Sequence, residues 1–295
     1  MRNAFIDELV RAARTNTNIV LIVGDLGFSV IEPFADEFPD RFINAGVAEQ
    51  NMMGVAAGMA SEGYHVFVYS IANFPTFRCA EQIRNDVDYH NLPVTVVAVG
   101  GGVAYGNLGY SHHAVQDYAL MRCMPNMLIA APGDPMEVRA CMRYLAANRG
   151  PSYLRLGKAG EPSFHQAVPE VAPGQWLEMR KGGSRRTLLC TGATMQIAMS
   201  WASSADYQDC AVYSMPLWSM GAKGLQAEHV ASFDEVITLE DHLHDGGFGS
   251  WMLESLPAKS GMRSKITVKA LDSKVCGMVG SQAALNKIIE DERLR

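Results

Sequence analysis

The sequence predicts an α/β protein made of two doubly wound domains with largely parallel sheets. Continuous apolar runs, such as residues 19–23 and 93–99, are typical of strands that are buried on both faces of a parallel sheet. Segments with helical spacing separate these runs, and this alternation is the pattern of a doubly wound fold. A chain of 295 residues is long enough for two such domains.

The first domain is predicted to span residues 1–160. An amphipathic helix over 4–13 precedes the strand at 19–23, and residues 42–60 are predicted to begin as a short apolar strand and to continue as a helix. The remaining predicted strands are 65–70, 93–99, 127–130 and 152–156. The remaining predicted helices are 76–89, 114–123 and one that starts at Asp134-Pro135, a typical helix start signal.

Residues 161–183 are predicted to be a linker because they contain Pro162, Pro169 and Pro173 and show little periodicity. The second domain is predicted to span 184–295. Its expected strands are 187–190, 210–214, 235–239 and 265–268, and its expected helices are 194–203, 246–256 and 281–290.

Charge and composition exclude several functions. The formal net charge is −6 and no run of Lys or Arg is longer than two residues, which argues against a nucleic-acid groove or a polybasic membrane patch. No apolar segment approaches the length of a membrane span. The six cysteines are scattered without zinc-ligand spacing, as expected for reduced thiols. We therefore expect a cytoplasmic protein without a membrane partner.

Glu49 stands out in the first turn of the helix predicted within residues 42–60. That helix consists mostly of Ala, Gly, Val and Met, so it has no polar face and is expected to be buried on most sides. A helix N-terminus tolerates a carboxylate, but apolar surroundings make its charge costly without a strong hydrogen-bond partner. Glu49 is therefore either a capping residue at a half-exposed helix start or a buried acid with a chemical role.

Three further stretches are considered as candidate sites. The glycine-rich loop 100–109 follows a strand, but it matches neither common nucleotide-binding motif, so we interpret it as a flexible loop that presents His112. His112 and His113 lack a third metal ligand, and acid–base catalysis or substrate hydrogen bonding is favoured for one of them.

Phe74 and Phe77 are either core residues or the wall of a pocket for a flat ring. Residues 240–247 look like a metal site, but a strand end followed by a helix start is favoured.

Taken together, these stretches resemble the transketolase family in its split form, in which one enzyme is encoded as two chains. The match covers nearly the whole chain and corresponds to the carboxyl-terminal half, namely the pyrimidine-binding domain and the transketolase C-terminal domain. It is carried by residues 24–26 (GDL), 46–52 (GVAEQNM), Phe74 with 80–86 (AEQIRND), 111–113 (SHH), 121–127 (MRCMPNM) and 153–158 (YLRLGK).

The resemblance implies a role for each matched site residue. Glu49 would be the acid that bonds N1′ of the thiamine diphosphate aminopyrimidine, and a two-carbon unit would pass from a ketose to an aldose. The resemblance places the other matched residues as follows: Phe74 stacks on the pyrimidine, Phe77 and Ile71 line its pocket, His112 is catalytic and faces the substrate, Asp25 lies in the cofactor region, and Ser29 contacts a substrate phosphate.

Three positions depart from the family pattern. Leu108 replaces an acidic residue that reads acceptor hydroxyls, and Gly100 replaces a histidine at the sugar phosphate. Lys158 replaces an arginine at the phosphate end, which keeps the charge but loses the bidentate geometry. These changes predict ketol transfer with a non-standard sugar.

The resemblance also implies a partner. The diphosphate half of such a site needs a GDG…N segment that binds Mg²⁺, and residues 24–26 break that pattern. We therefore expect an N-terminal transketolase subunit that carries the diphosphate-binding domain and most of the Mg²⁺ ligands, in an α2β2 assembly.

Two alternatives stay open. A beta subunit of a 2-oxo-acid dehydrogenase first component shares the fold and the glutamate, but residues 111–113 and 122–126 favour the branch of transketolase and deoxyxylulose-phosphate synthase. The spacing from Tyr69 to Gln82 favours transketolase over the synthase. A non-catalytic scaffold subunit is the other alternative. Intact Glu49 and Phe74 argue against it, whereas Leu108 and Gly100 keep it open.

Overall fold

The computed structural model describes residues 1–158, 160–258 and 261–290, and within them two β-sheets are flanked by helices. The strands of the first part of the chain are β1 Ile19–Val23, β2 Phe42–Asn44, β3 His65–Ile71, β4 Val94–Val99, β5 Leu128–Ala130 and β6 Ser152–Leu156. The later strands are β7 Leu177–Arg180, β8 Arg186–Cys190, β9 Ala211–Ser214, β10 Leu217–Trp218, β11 Glu235–Leu243 and β12 Ile266–Leu271.

Helices connect most of these strands. In the first part of the chain they are α1 Arg2–Thr15, α2 Glu32–Glu37, α3 Glu49–Ser61, α4 Asn73–Phe77, α5 Ala80–Gln82 with the π-helical continuation Ile83–Asp88, α6 Asp117–Arg122 and α7 Pro135–Ala147. The second part contains α8 Met195–Trp201, α9 Gln226–Ala231, α10 Phe248–Ser255 and α11 Gln282–Glu290. Short 3₁₀ helices cover Pro39–Arg41, Gly106–Leu108, Tyr110–His112, Gly192–Thr194, Met220–Leu225, Met262–Lys265 and Ser273–Gly277.

The first sheet has seven strands in the order β10-β5-β6-β4-β3-β1-β2. All of its pairings are parallel except that of β10 with β5. Strands β1, β4 and β6 are buried at every position because helices cover both faces of the sheet. Since parallel strands all end at the same edge, the loops after β1, β2, β3, β4 and β6 lie along one edge of this sheet.

The second sheet has five strands in the order β12-β11-β8-β9-β7, and only β7 is antiparallel to its neighbour. The predicted α/β class with largely parallel sheets is therefore confirmed. Strand β10 comes from the second part of the sequence but pairs with β5, so the two parts of the chain share the first sheet.

Several short elements differ from the sequence predictions. Strand β7 lies within the stretch predicted as a linker, and β10, α2 and α9 were not predicted, because elements of two to six residues carry little periodicity. The helix predicted over 76–89 begins earlier, at Asn73, because Pro75 fits the first helical turn. It is also interrupted after Phe77 and continues as a π-helix from Ile83.

The two sheets meet at a buried ion cluster. Arg155 on β6 is 3% exposed, and its Nε donates to Asp117 over 2.7 Å. Its Nη1 donates to Asp241 on β11, which is 1% exposed. Removing one member of such a cluster leaves buried charges without a partner.

The motif at 240–247 is structural. Both carboxylate oxygens of Glu240 accept hydrogen bonds from backbone amides at the start of α10, those of Phe248 and Gly249. His242 accepts a hydrogen bond from the amide of Ala119. Within the described residues, no group of three or more His, Cys, Asp or Glu side chains could hold a metal ion. None of the helices described here has the length and apolar character needed to cross a membrane.

We predict that Arg155→Met lowers the free energy of unfolding by about 3–5 kcal/mol, because two buried carboxylates lose their partner. Urea denaturation of the purified chain measures the change. The control is Arg185→Met, which removes an ion pair with Asp234 whose two side chains are 62% and 69% exposed and should change stability little. Equal effects of the two substitutions would contradict the structural role of the cluster.

We predict that acid destabilises the protein through His65, which is 1% exposed and contacts Thr95 through Nε2 at 3.1 Å. Burial, with a smaller contribution from the charge of Arg149, lowers its pKa from 6.5 to about 4. Between these two pKa values the unfolded chain binds more protons than the folded one, so stability falls by about 3 kcal/mol as the pH drops through this range. Replacing His65 with Asn should flatten the pH dependence of the unfolding free energy from pH 6.5 to 4. His90→Asn, at an exposed histidine, should leave it unchanged.

Candidate functional site

The sequence-predicted site residues follow the strands that end at one edge of the first sheet. They are Asp25 and Ser29 after β1, Glu49 after β2, Ile71 at the end of β3 with Phe74 and Phe77 after it, His112 after β4, and Lys158 after β6. The fold therefore brings the relevant loops to one edge, and side-chain contacts link several of them.

Glu49 is the first residue of α3, and only 5% of it is exposed. Its Oε1 accepts a hydrogen bond from Nη1 of Arg78 at 3.0 Å. Burial raises the pKa of the neighbouring Cys79 thiol to about 12, and the negative charge of Glu49 contributes to the rise. The structure thus gives Glu49 a buried setting with a cationic partner, rather than that of a half-exposed cap.

Phe74 supplies a flat surface beside this carboxylate. The guanidinium carbon of Arg78 lies 4.3 Å from the centre of the Phe74 ring, which is cation–π geometry. Arg78 follows Phe74 by four residues along a helical stretch, so the two side chains lie on the same side. One planar nitrogen-bearing group therefore contacts both the face of Phe74 and the carboxylate of Glu49.

Asn73 joins this region to the glycine-rich loop. Its Nδ2 donates to the carbonyl oxygens of Ser111 at 3.0 Å and His113 at 2.9 Å. This places the ring of His112 with its centre 5.4 Å from that of Phe74, in an edge-on arrangement. Ser111 Oγ lies 3.0 Å from Nδ1 of His112, which leaves Nε2 as the ring nitrogen available to a ligand.

Tyr105 fills the space beside Gly100. Gly100 has φ +81°, and a Cβ at this position would collide with the Tyr105 ring. The centre of that ring is 5.3 Å from Nζ of Lys158 and 6.4 Å from the centre of the His112 ring. The phenol ring thus lies near both His112 and Lys158, and any side chain at position 100 would displace it.

The loop after β1 carries backbone strain. Asp25 has φ +55° and Ser29 has φ +67°, a left-handed region that residues other than glycine rarely adopt. Asp25 accepts a hydrogen bond from Nδ2 of Asn44 at 3.0 Å, and Asn44 accepts one from the amide of Gly46. Asp25 therefore fixes the turn that begins α3. Ser29 is exposed, and its amide donates to Glu32 at 2.7 Å.

Arg78 forms a wall of two cavities. One, of about 400 Å³, is lined by Asn73, Phe74, Phe77, Tyr110, Ser111, His113 and Gln116 as well as Arg78. The other, of about 420 Å³, is lined by residues 47–51 and Arg78. Phe77 is 46% exposed at the first cavity, and Ile71 is half-buried.

One face of α3 is open to solvent, so the expectation that this helix is buried on most sides is wrong for the single chain. Asn51, Gly54, Val55 and Gly58 are exposed on it. A Cβ atom at Gly54 or Gly58 would have no neighbouring atom within 4 Å. The sequence-based prediction failed because this uncovered face carries glycine and valine and no charged side chain, so Asn51 alone did not mark it as exposed.

Sequence reasoning missed Asn73, Arg78 and Tyr105. The spacing of Phe74 and Arg78 could have revealed their contact, since residues four apart on a helix are neighbours. Asn73 and Tyr105 carried no such signal, because their partners lie on a distant loop or depend on the backbone conformation of Gly100.

Comparison with known proteins identifies the family of this chain. The family described as transketolase, pyrimidine binding domain, matches residues 1–160. A putative transketolase C-terminal section of Methanocaldococcus jannaschii is 33% identical over 273 residues, which cover 90% of this chain and 84% of that protein. One of the subunits of the apulose-4-phosphate transketolase of Actinobacillus succinogenes is 33% identical over 86% of this chain and 82% of its own length. A 6-deoxy-6-sulfo-D-fructose transketolase subunit from a Clostridium species is 30% identical over 96% and 79%.

Solved structures show the same fold. A split gene transketolase, described as an inactive beta4 tetramer, superposes with a TM-score of 0.83 at 32% identity, covering 97% of this chain and 92% of that one. The transketolase of Campylobacter jejuni superposes with a TM-score of 0.78 at 18% identity, and the match spans 98% of this chain and 44% of that larger chain. The chain therefore belongs to the transketolase family and corresponds to the C-terminal subunit of its split form.

Proposed function

We propose that this chain is the C-terminal subunit of a two-chain thiamine-diphosphate-dependent transketolase, which transfers a two-carbon ketol unit from a ketose to an aldose and acts on a non-standard sugar. One observation carries the proposal: the buried carboxylate of Glu49 and the face of Phe74 both contact a single planar, nitrogen-bearing group, the guanidinium of Arg78. An aminopyrimidine ring needs the same two contacts.

The residues present fit the cofactor. Glu49 would bond the pyrimidine nitrogen N1′, Phe74 would stack on the ring, Phe77 and Ile71 would line its pocket, and Asp25 would support the turn beneath it. When bound, thiamine diphosphate supplies a centre that holds the electrons released as the ketose carbon–carbon bond breaks. A hydrogen bond to Glu49 in this buried position is stronger than one in water.

His112 is the proposed acid–base residue on the substrate side. Ser111 holds Nδ1, so the side chain has a fixed orientation, and Nε2 can exchange a proton or a hydrogen bond with a substrate hydroxyl. Asn73 supports this arrangement by holding the loop through two backbone carbonyls.

The proposed partner is an N-terminal subunit that carries the diphosphate-binding domain and most of the Mg²⁺ ligands, in an α2β2 assembly. The open apolar face of α3, where Val55 is 40% exposed, and Val47 just before the helix, which is 74% exposed, support contact with another chain close to Glu49. The related split gene transketolase described as an inactive beta4 tetramer supports the view that such a chain is inactive without its partner. We also propose the domain limits 1–160 and 184–295, joined by the stretch 161–183 that includes β7, and a cytoplasmic location.

The residues at the proposed substrate-binding end of the site support a non-standard sugar as the substrate. Leu108, which is 56% exposed, stands where the family has an acidic residue, and Tyr105 occupies the space of a side chain at position 100. Two relatives are named for apulose-4-phosphate and 6-deoxy-6-sulfo-D-fructose, which supports a substrate other than the usual pentose phosphates. We propose that Lys158 and Ser29 contact the far end of the sugar.

We predict that Glu49→Gln lowers ketose turnover by the two-chain complex about 100-fold or more. The neutral amide of glutamine cannot replace the charged carboxylate in the hydrogen bond to N1′. The assay follows ketose consumption with thiamine diphosphate and Mg²⁺. Glu62→Gln, at the exposed end of the same helix, is the matched control and should retain activity. Full activity of Glu49→Gln would overturn the proposal, as would turnover by this chain alone. Acylation of lipoamide in place of ketose consumption would favour the dehydrogenase alternative, and no turnover by the pair would favour a scaffold.

We predict that Lys158→Met raises KM about tenfold with little change in kcat when the sugar carries a phosphate or sulfonate, because a charge that binds ground state and transition state equally is lost. The exposed Lys181→Met should leave both constants unchanged. An equal loss with an uncharged sugar would show that Lys158 does not act through the anionic end.

A further inference from the structure

Arg78 makes the two contacts that the proposed cofactor ring would make. Its Nη1 lies 3.0 Å from Oε1 of Glu49, and its Cζ lies 4.3 Å from the centre of the Phe74 ring. A guanidinium is flat, carries N–H donors in its plane and stacks on aromatic faces, so it resembles in shape a small nitrogen heterocycle that donates a ring N–H. The same face of Phe74 cannot hold a second flat group in contact with Glu49 while Arg78 is there.

The burial of Glu49 explains why Arg78 is held in this position. Glu49 is 5% exposed, and a carboxylate at that depth is costly without a hydrogen-bonded cation. Among the described residues, Arg78 is the cation with which Glu49 is paired. The arginine thus satisfies the acid as long as no other ligand does.

Arg78 is also free to leave. Its side chain is 51% exposed, and it lies between the cavities of about 400 and 420 Å³ that it helps to line. A rotation of this long side chain into solvent would join the two cavities without a change in the backbone. The opened space would extend from residues 47–51 to Phe77 and Ser111.

We propose that Arg78 occupies the aminopyrimidine position in the unliganded protein, so that thiamine diphosphate binds only by displacing it and Arg78 sets the affinity for the cofactor. This inference rests on the proposed function. Breaking the contacts of Arg78 subtracts from the binding free energy, because the competent state is the fraction of molecules in which the arginine has already moved. Removal of the side chain should therefore strengthen cofactor binding.

The test measures binding of thiamine diphosphate to the two-chain complex in the presence of Mg²⁺ and without any sugar, by calorimetric titration, so the readout does not depend on turnover. Arg78→Met keeps the length of the side chain but removes its charge and planar N–H groups. We expect its complex to bind the cofactor about tenfold more tightly than wild type. Arg84→Met, at an exposed arginine in the following π-helical segment, should bind like wild type.

Arg78→Lys is the second variant, and it covers the case in which Arg78→Met does not fold. It keeps the charge but loses the flat stacking group, and we expect about threefold tighter binding. Affinity equal to or weaker than wild type in the variants that fold would overturn the role of Arg78 while leaving the proposed function intact. Failure of every complex, wild type included, to bind thiamine diphosphate would overturn the proposed function and this inference with it.

Discussion

A carboxylate buried at the start of α3 requires a partner, and much of the site is arranged around this requirement. Glu49 is withdrawn from water, so its charge must be matched by a hydrogen-bonded cation or by a ligand that offers an equivalent group. Arg78 meets the requirement and at the same time packs on Phe74. The interaction thus links α3 to α4.

The first sheet brings Glu49, Arg78 and Phe74 close together. Because β1, β2 and β3 are parallel neighbours, the segments that follow them emerge side by side, and Glu49, Asp25 and Phe74 belong to those segments. Asn73 then ties the third segment to the loop after β4, which carries His112. The position of each side chain depends on a short contact between loops, whereas the relative position of the loops depends on the sheet.

The sequence was most informative for strands that are buried on both faces of the sheet. The apolar runs of β1 and β4 predicted strands within a residue of the observed limits, because helices cover both faces of the sheet. Strands β7 and β10 were missed, since four and two residues at sheet edges show no pattern. Glu49 could be recognised as a lone acid in an apolar helix. The ion pair between Glu49 and Arg78 could not be recognised from the sequence, because it joins two helices, and their packing cannot be read from sequence patterns.

The open face of α3 has a physical explanation only if something covers it, and the cofactor site proposed here lies beside that face. A structure of the two-chain complex with thiamine diphosphate and Mg²⁺, determined by crystallography or electron cryomicroscopy, tests the central claim most directly. We expect the pyrimidine ring to stack on Phe74, with the carboxylate of Glu49 within hydrogen-bond distance of N1′ and Arg78 turned away. A bound cofactor whose ring lies elsewhere, with Glu49 still paired to Arg78, would contradict the account.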